Sequence, residues 1–221
     1  MKAANSGVKM QEEKREIPVF LKKILSADVQ LTDTIVKYVE RHIPAKQKLK
    51  THCKMLEISC HGVPWITTVL AFIWILNNRS LYQMQVNLML GLILDIVVVA
   101  VIKAIARRRR PAPNDDLFSM GPDKYSFPSG HATRAAFVFY YFANVWPIPS
   151  FYILFLFIWC IAVTISRILM RRHYILDVCA GVFIGFCEAM FIHFIFLEPG
   201  TCLSLISWLT DEKLDGAEYD V

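Results

Sequence analysis

Charge is scarce in this chain. Only 19% of its 221 residues are Asp, Glu, Lys or Arg, whereas a soluble domain carries about a quarter. With 55% apolar residues and a mean hydropathy of +0.41, the composition excludes an ordinary cytosolic globule and a disordered chain alike. Two further signatures are missing. The first 16 residues hold no apolar stretch, so no cleavable signal peptide is expected. The six cysteines show no C-x-x-C or related spacing, which argues against a cysteine metal site and for free thiols used as small apolar residues.

What the chain does have is apolar residues gathered into runs that charge almost never enters. These cover 62–76 (extendable back to about 55), 86–106, 132–146, 151–169 and 175–197. A bilayer crossing takes roughly 20 residues, with about 17 tolerated. The second, fourth and fifth runs meet this alone; the first and third need flanking residues. The expectation is an all-α, polytopic membrane helical bundle of about five transmembrane helices. It divides into an N-terminal segment (1–54), a transmembrane domain (55–200) and an acidic tail (201–221), with the first span serving as an uncleaved signal-anchor.

Within the N-terminal segment, Phe20, Leu21, Ile24, Leu25, Leu31, Ile35, Val36 and Val39 recur at helical spacing between Lys22, Lys23, Asp28, Asp33, Lys37 and Glu40. This predicts one or two amphipathic helices, lying either on the bilayer surface or against the bundle. Basic residues then give an orientation. Of the 24 Lys and Arg, 22 fall on one side of the expected spans, leaving only Arg79 and Lys213 on the other. By the positive-inside rule that side is cytoplasmic, so the net charge of +5 is a topology signal and needs no nucleic-acid partner.

Chemistry-bearing residues concentrate at that same side. The second run ends in Lys103 followed by Arg107, Arg108, Arg109, Arg110 and Pro111; Pro128-Ser129-Gly130-His131 precedes the third; Ser166-Arg167, His173 and Asp177 join the fourth to the fifth. Phosphoryl transfer needs positioned cations to offset charge on the transferred group. Lys103, Arg110 and Arg167 are such cations, and Ser129 with the Gly130 N–H at a helix start makes an anion nest. Asp177, one helical turn beyond His173, is placed to hold one imidazole nitrogen protonated and leave the other as a nucleophile. His131 remains to protonate the leaving oxygen.

Together these segments read K-x6-R-P, P-S-G-H and S-R-x5-H-x3-D, and they resemble the signature of the type 2 phosphatidic acid phosphatase superfamily, the lipid phosphate phosphatases. The resemblance extends over about residues 55–200. It implies a helical bundle, a phosphohistidine intermediate at His173, a proton donor at His131, and Asp177 orienting the nucleophile. It also implies phosphate binding by Lys103, Arg110, Ser129, Gly130 and Arg167, and no metal or other cofactor, magnesium included. Within the superfamily, the stretch from Arg107 through Ala136 is similar to the polyisoprenoid diphosphate phosphatase branch. Members of that branch act on presqualene, farnesyl and geranylgeranyl diphosphates in the endoplasmic reticulum and nuclear envelope. A second phosphate adds charge that Arg171, Arg172 and Lys124 are available to hold; the alternative is that these cations anchor helices and attract anionic lipid.

The expected partners are a lipid phosphate or diphosphate substrate and the bilayer. Rival readings are a broad phosphatidate, lysophosphatidate or sphingolipid phosphate phosphatase, a lipid phosphotransferase, a vanadate haloperoxidase, and a non-catalytic nuclear-envelope scaffold. Apolar spans argue against the soluble haloperoxidases, and the complete motif set argues against the scaffold. Two acids, Asp95 and Glu188, lie inside expected spans, where charge is costly; they either line the lipid slot or hydrogen-bond between helices.

Overall fold

The computed structural model describes residues 18–43, 46–112 and 124–210. Eight α-helices account for most of them: α1 (Val19–His42), α2 (Lys46–Ser59), α3 (Gly62–Leu76), α4 (Arg79–Ala106), α5 (Gly130–Tyr140), α6 (Ser150–Leu169), α7 (Ile175–Phe194) and α8 (Pro199–Thr210). A π-helical turn, Tyr141–Val145, continues α5. Among the described residues the only β pairing is a single antiparallel bridge between Arg109 and Tyr125.

Helices α4, α6 and α7 are long and apolar enough to cross a membrane; α2 and α3 would add a fourth crossing if their 48° bent pair is one span. The expected crossing over 132–146 is realised differently, as the eleven residues of α5 followed by the π turn. At 1.5 Å per residue α5 is only about 16 Å long, roughly half of a hydrocarbon core. The backward extension of the first run toward Met55 is likewise interrupted at 60–61, between α2 and α3. The tail boundary at 201 falls inside α8, and the acidic residues from Asp211 onward lie outside the described residues.

α5 is the centre of the bundle: Ala132, Ala135, Ala136, Phe137 and Val138 are fully buried. Two glycines on one face of α7 let it come so close. A Cβ at Gly185 would stand 2.1 Å from the Thr133 carbonyl, and one at Gly181 would stand 2.7 Å from the Ser129 carbonyl. On the other side a Cβ at Gly91 of α4 would meet the Phe137 ring at 2.0 Å. Side chains absent from α4 and α7 are thus replaced by α5 itself, and Leu88, Leu92, Phe137, Val138, Ala189 and Ile192 close the core around it. The outer surface is apolar: Phe151, Leu154, Phe155 and Ile158 of α6 and Trp74 and Ile75 of α3 are all more than half exposed, as lipid-facing helices require.

α1 is a single helix, packed against α6 and α7. The residues it buries are Asp28, Thr32 and Val36, so its docking stripe is partly polar rather than the apolar face that the periodicity suggests. Phe20, Ile24, Leu31, Ile35 and Tyr38 stay exposed on an adjoining face.

Candidate active site

α4 stops at Ala106 because Arg107 turns left-handed (φ 50°), its N–H closing the last turn on the Lys103 carbonyl at 3.0 Å. The chain then doubles back, and the second motif zips onto it. The Ser126 N–H donates to the Arg108 carbonyl at 2.8 Å, the Ser126 hydroxyl to the Arg109 carbonyl at 3.2 Å, and Arg110 Nε to the Tyr125 carbonyl at 3.3 Å. The third motif is sewn to both: the Ala112 N–H donates to the Arg171 carbonyl at 3.2 Å and the Ser129 N–H to the Asp177 carbonyl at 3.0 Å. All three motifs therefore meet at one end of the bundle, bringing together Lys103, Arg110, Ser129, Gly130, His131, Arg167, His173 and Asp177. Ser129 is the buried N-cap of α5, its hydroxyl accepting from the Ala132 N–H at 3.5 Å.

His173 lies in the turn between α6 and α7, with its N–H and that of Arg172 both donating to the Arg167 carbonyl. Its ring is buried, and Nδ1 donates to the Ser126 carbonyl at 2.7 Å. A carbonyl only accepts, so this bond places the proton on Nδ1 and leaves the Nε2 lone pair for attack. The expected orienting partner, Asp177, stands 3.9 Å from Nδ1. Its oxygens are taken by Arg108 Nη1 at 2.7 Å and by the Tyr174 N–H at 2.9 Å, where it caps α7. The i, i+4 spacing thus brings the acid near the ring, while the direct bond falls to a backbone carbonyl 47 residues upstream. Burial and the positive charges of Arg110, Lys103 and Arg167 hold the His173 imidazole well below the usual histidine range.

His131 and Arg167 both face α2, which the motif spacing did not implicate. His131 Nε2 donates to the Glu57 carbonyl at 3.2 Å, and the His61 ring stands edge-on 6.2 Å away between centroids. Arg167, 1% exposed, pairs with the Glu57 carboxylate at 3.1 Å and donates to the Cys53 carbonyl at 3.3 Å. Glu57 had no recognisable signal in the sequence. It sits on a helix without motif residues, and only the fold carries it to the arginine.

The cations set aside for a second phosphate separate on inspection. Arg171 is held by α1, pairing with Asp33 at 2.9 Å and Glu40 at 3.3 Å, so its contacts are structural, contrary to the expected availability. Arg108 bridges Asp28 at 2.6 Å and Asp177 at 2.7 Å and stacks on Tyr174 with its guanidinium carbon 4.1 Å from the ring centre. Lys124 is exposed at the rim, and Arg172 is partly buried.

Deeper in the bundle, Asp95 of α4 pairs with Arg134 of α5 at 2.5 Å, and Arg134 also donates to the Cys60 carbonyl at 3.0 Å. This favours interhelical bonding over lining the lipid slot for Asp95. Glu188 is buried nearby with neither carboxylate oxygen hydrogen-bonded. All six cysteines are free thiols.

The PAP2 superfamily profile matches residues 84–198, the stretch containing all three motifs. A protein described as probable lipid phosphate phosphatase beta, from Arabidopsis thaliana, is 32% identical over 200 aligned residues, covering 78% of this chain and 90% of that one. Among solved structures, the transmembrane PAP2-type phosphatidylglycerolphosphate phosphatase from Bacillus subtilis superposes with a TM-score of 0.57 at 22% identity, over 78% of this chain and 86% of that one. Helices of membrane-crossing length converge on one motif-lined end and the same superfamily profile spans them, so this chain belongs to the PAP2 superfamily, and its chemistry is that of a membrane phosphatase.

Proposed function

We propose that the enzyme removes phosphate from membrane lipids by a two-step reaction on His173. In the first step Nε2 forms a bond to phosphorus while the phosphorus–oxygen bond to the lipid breaks, and His131 delivers its proton to the departing lipid alcohol. His131 acts here as the imidazolium: Nε2–H stays on the Glu57 carbonyl, the Nδ1 proton is the one transferred, and the ring is left neutral to take the proton of water in the second step. In the second step water attacks the phosphohistidine, its proton returns to His131, and inorganic phosphate leaves. Lys103, Arg110 and Arg167, with Ser129 and the start of α5, oppose the charge of the transferred group. The observation that carries this reading is the His173 ring, bonded through Nδ1 to Ser126 and set among the motif cations.

The finer proposal is a polyisoprenoid diphosphate or monophosphate as substrate, in the endoplasmic reticulum or nuclear envelope, with the site facing the cytoplasm and no need for magnesium. Sequence similarity between Arg107 and Ala136 and the one-sided distribution of basic residues support it. Lys124 and Arg172 are proposed for a second phosphate on their charge; Arg171 and Arg108 pair with acids. A broad lipid phosphatase fits the relatives equally well: the Arabidopsis relative is described only by lipid phosphate, and the Bacillus neighbour by phosphatidylglycerolphosphate.

The test is phosphate release in EDTA from farnesyl diphosphate, presqualene diphosphate and phosphatidate by purified protein in lipid–detergent micelles. Release from at least one is expected, and His173→Ala should abolish it. No release from any, or activity that survives the substitution, would overturn the reading.

A further inference from the structure

α1 lies outside the matched segment and carries none of the motifs, yet four of its side chains make polar contacts with the turn and first helical turn around His173. Asp28 and Thr32, one helical turn apart, are 6% and 4% exposed. Asp28 Oδ1 accepts from the Leu176 N–H at 3.1 Å, and the Thr32 hydroxyl oxygen accepts from the Ile175 N–H at 3.2 Å. These are first-turn donors of α7, groups that a helix cannot satisfy internally. α1 therefore caps another helix, the one that carries Asp177.

The second oxygen of Asp28 reaches further. Oδ2 pairs with Arg108 at 2.6 Å, and the other arm of the same guanidinium pairs with Asp177 at 2.7 Å. The Arg108 carbonyl holds the Ser126 N–H, and the Ser126 carbonyl is the partner of His173 Nδ1. One carboxylate on α1 is thus two links, both through Arg108, from the residue whose carbonyl orients the nucleophile and from the acid that caps α7. Arg108 shares its single positive charge between two carboxylates. Without Asp28 it would be drawn toward Asp177 alone, with nothing fixing its side chain from the α1 side.

Resting on the phosphatase reading above, we propose that Asp28 is a positioning residue of the reaction, holding the Ser126–His173 bond in register through Arg108 and the first turn of α7. α1 is then part of the catalytic apparatus. A helix that merely packed there would present apolar side chains, as Val36 does; the buried carboxylate and hydroxyl are aimed at the two groups that set the catalytic turn.

The experiment compares Asp28→Asn, Asp28→Glu, Arg108→Gln and the Asp28→Asn/Arg108→Gln double variant as full-length proteins in micelles. Asp28→Asn is expected to lower kcat about 10- to 100-fold, the range for a partner that orients a reacting group, with KM within about threefold of wild type. Asp28→Glu should recover part of the loss, and the double variant should lose less than the product of the two single losses, because Asp28 acts in part through Arg108. A purely structural role would instead lower the folded fraction at unchanged turnover per folded molecule, and that result would overturn the proposal. So would full activity in Asp28→Asn, a loss confined to KM, or additive losses in the double variant.

His173 can also be read without turnover, by its rate of modification with diethyl pyrocarbonate followed by mass spectrometry. Asp28→Asn should modify several-fold faster as the turn loosens, and an unchanged rate overturns the proposal. That readout separates it from the phosphatase reading, which a silent wild type would sink alone. If Asp28→Asn does not fold, Thr32→Val removes a single acceptor at the same turn and should show a smaller loss of the same kind; unchanged kcat there overturns the proposal.

Discussion

Two arginines of this enzyme, one buried and one at the rim, answer to opposite needs. Arg134 sits deep between α5 and α4, paired with Asp95 and a backbone carbonyl, with its own Nε and one Asp95 oxygen left without a hydrogen bond. Arg108 sits at the rim, shared between two carboxylates, stacked on Tyr174, with its carbonyl on Ser126. The deep pair joins α5 to α4, with one further bond to the α2–α3 junction. The rim cluster joins the end of α4, the loop before α5, the start of α7 and α1, and ends on His173. Where surroundings are apolar, one ion pair suffices to fix helix register, and each extra polar atom becomes a liability. Near the headgroup level many weaker bonds can be spent on geometry.

The largest expected effect tests the deep pair. Asp95→Leu would leave Arg134 buried without its counter-charge, and removing one partner of such a pair costs about 3–5 kcal/mol. Thermal unfolding in detergent should show it, with much of the loss recovered in Asp95→Leu/Arg134→Met, which removes both charges. A double variant less stable than the single would break the contrast, since the deep pair would then do more than neutralise itself.

A smaller effect belongs to the rim and depends on pH. Burial and neighbouring cations hold His173 below its ordinary value of 6.5, so the folded protein keeps it neutral where the unfolded chain binds a proton. Its stabilising contribution is complete above about pH 6.5 and is lost as pH falls from there toward the folded value, by at most about 1.4 kcal/mol per pH unit. If His173 is the nucleophile proposed above, the acid limb of kcat/KM should lie below pH 6.5. A limb at or above 6.5 would mean that the cations do not act on the ring.

The smallest effect is expected for Arg171→Gln. Its partners Asp33 and Glu40 are about 40% exposed, and exposed pairs contribute little. The unfolding midpoint should not move measurably, and farnesyl diphosphate and farnesyl monophosphate should be affected alike. A rise in KM confined to the diphosphate would return Arg171 to substrate binding and blur the division between rim scaffold and site.

The parts of this arrangement that were legible in the sequence are those carried by local pattern. Apolar runs located α4, α6 and α7 to within a few residues at most of their ends, and fixed motif spacing picked out residues that the fold brings together at one end of the bundle. Partner choice was not legible. His173 and Asp177 are a helical turn apart, yet the imidazole takes the Ser126 carbonyl, because Asp177 is claimed by Arg108 and by the α7 cap. Glu57, Asp28 and Thr32 look like ordinary polar positions of amphipathic helices; only tertiary packing turns them toward Arg167, Arg108 and the start of α7. The build of the run at 132–146 was not legible either: it becomes α5 continued by a π turn and packed between α4 and α7, and an apolar run alone does not show such a break in the helix.

That short central helix bears on how the protein is made. His131, Thr133 and Arg134 crowd its first two turns, and charge of this kind partitions poorly from the translocation channel into lipid when a segment is presented alone. The glycine groove that receives it belongs to α7, synthesised some forty residues later. α5 is therefore expected to enter the membrane only together with α7. A ribosome-stalled intermediate truncated before Ile175 should leave α5 accessible to water, while one extended past Phe194 should bury it, so the catalytic end would be assembled last of all.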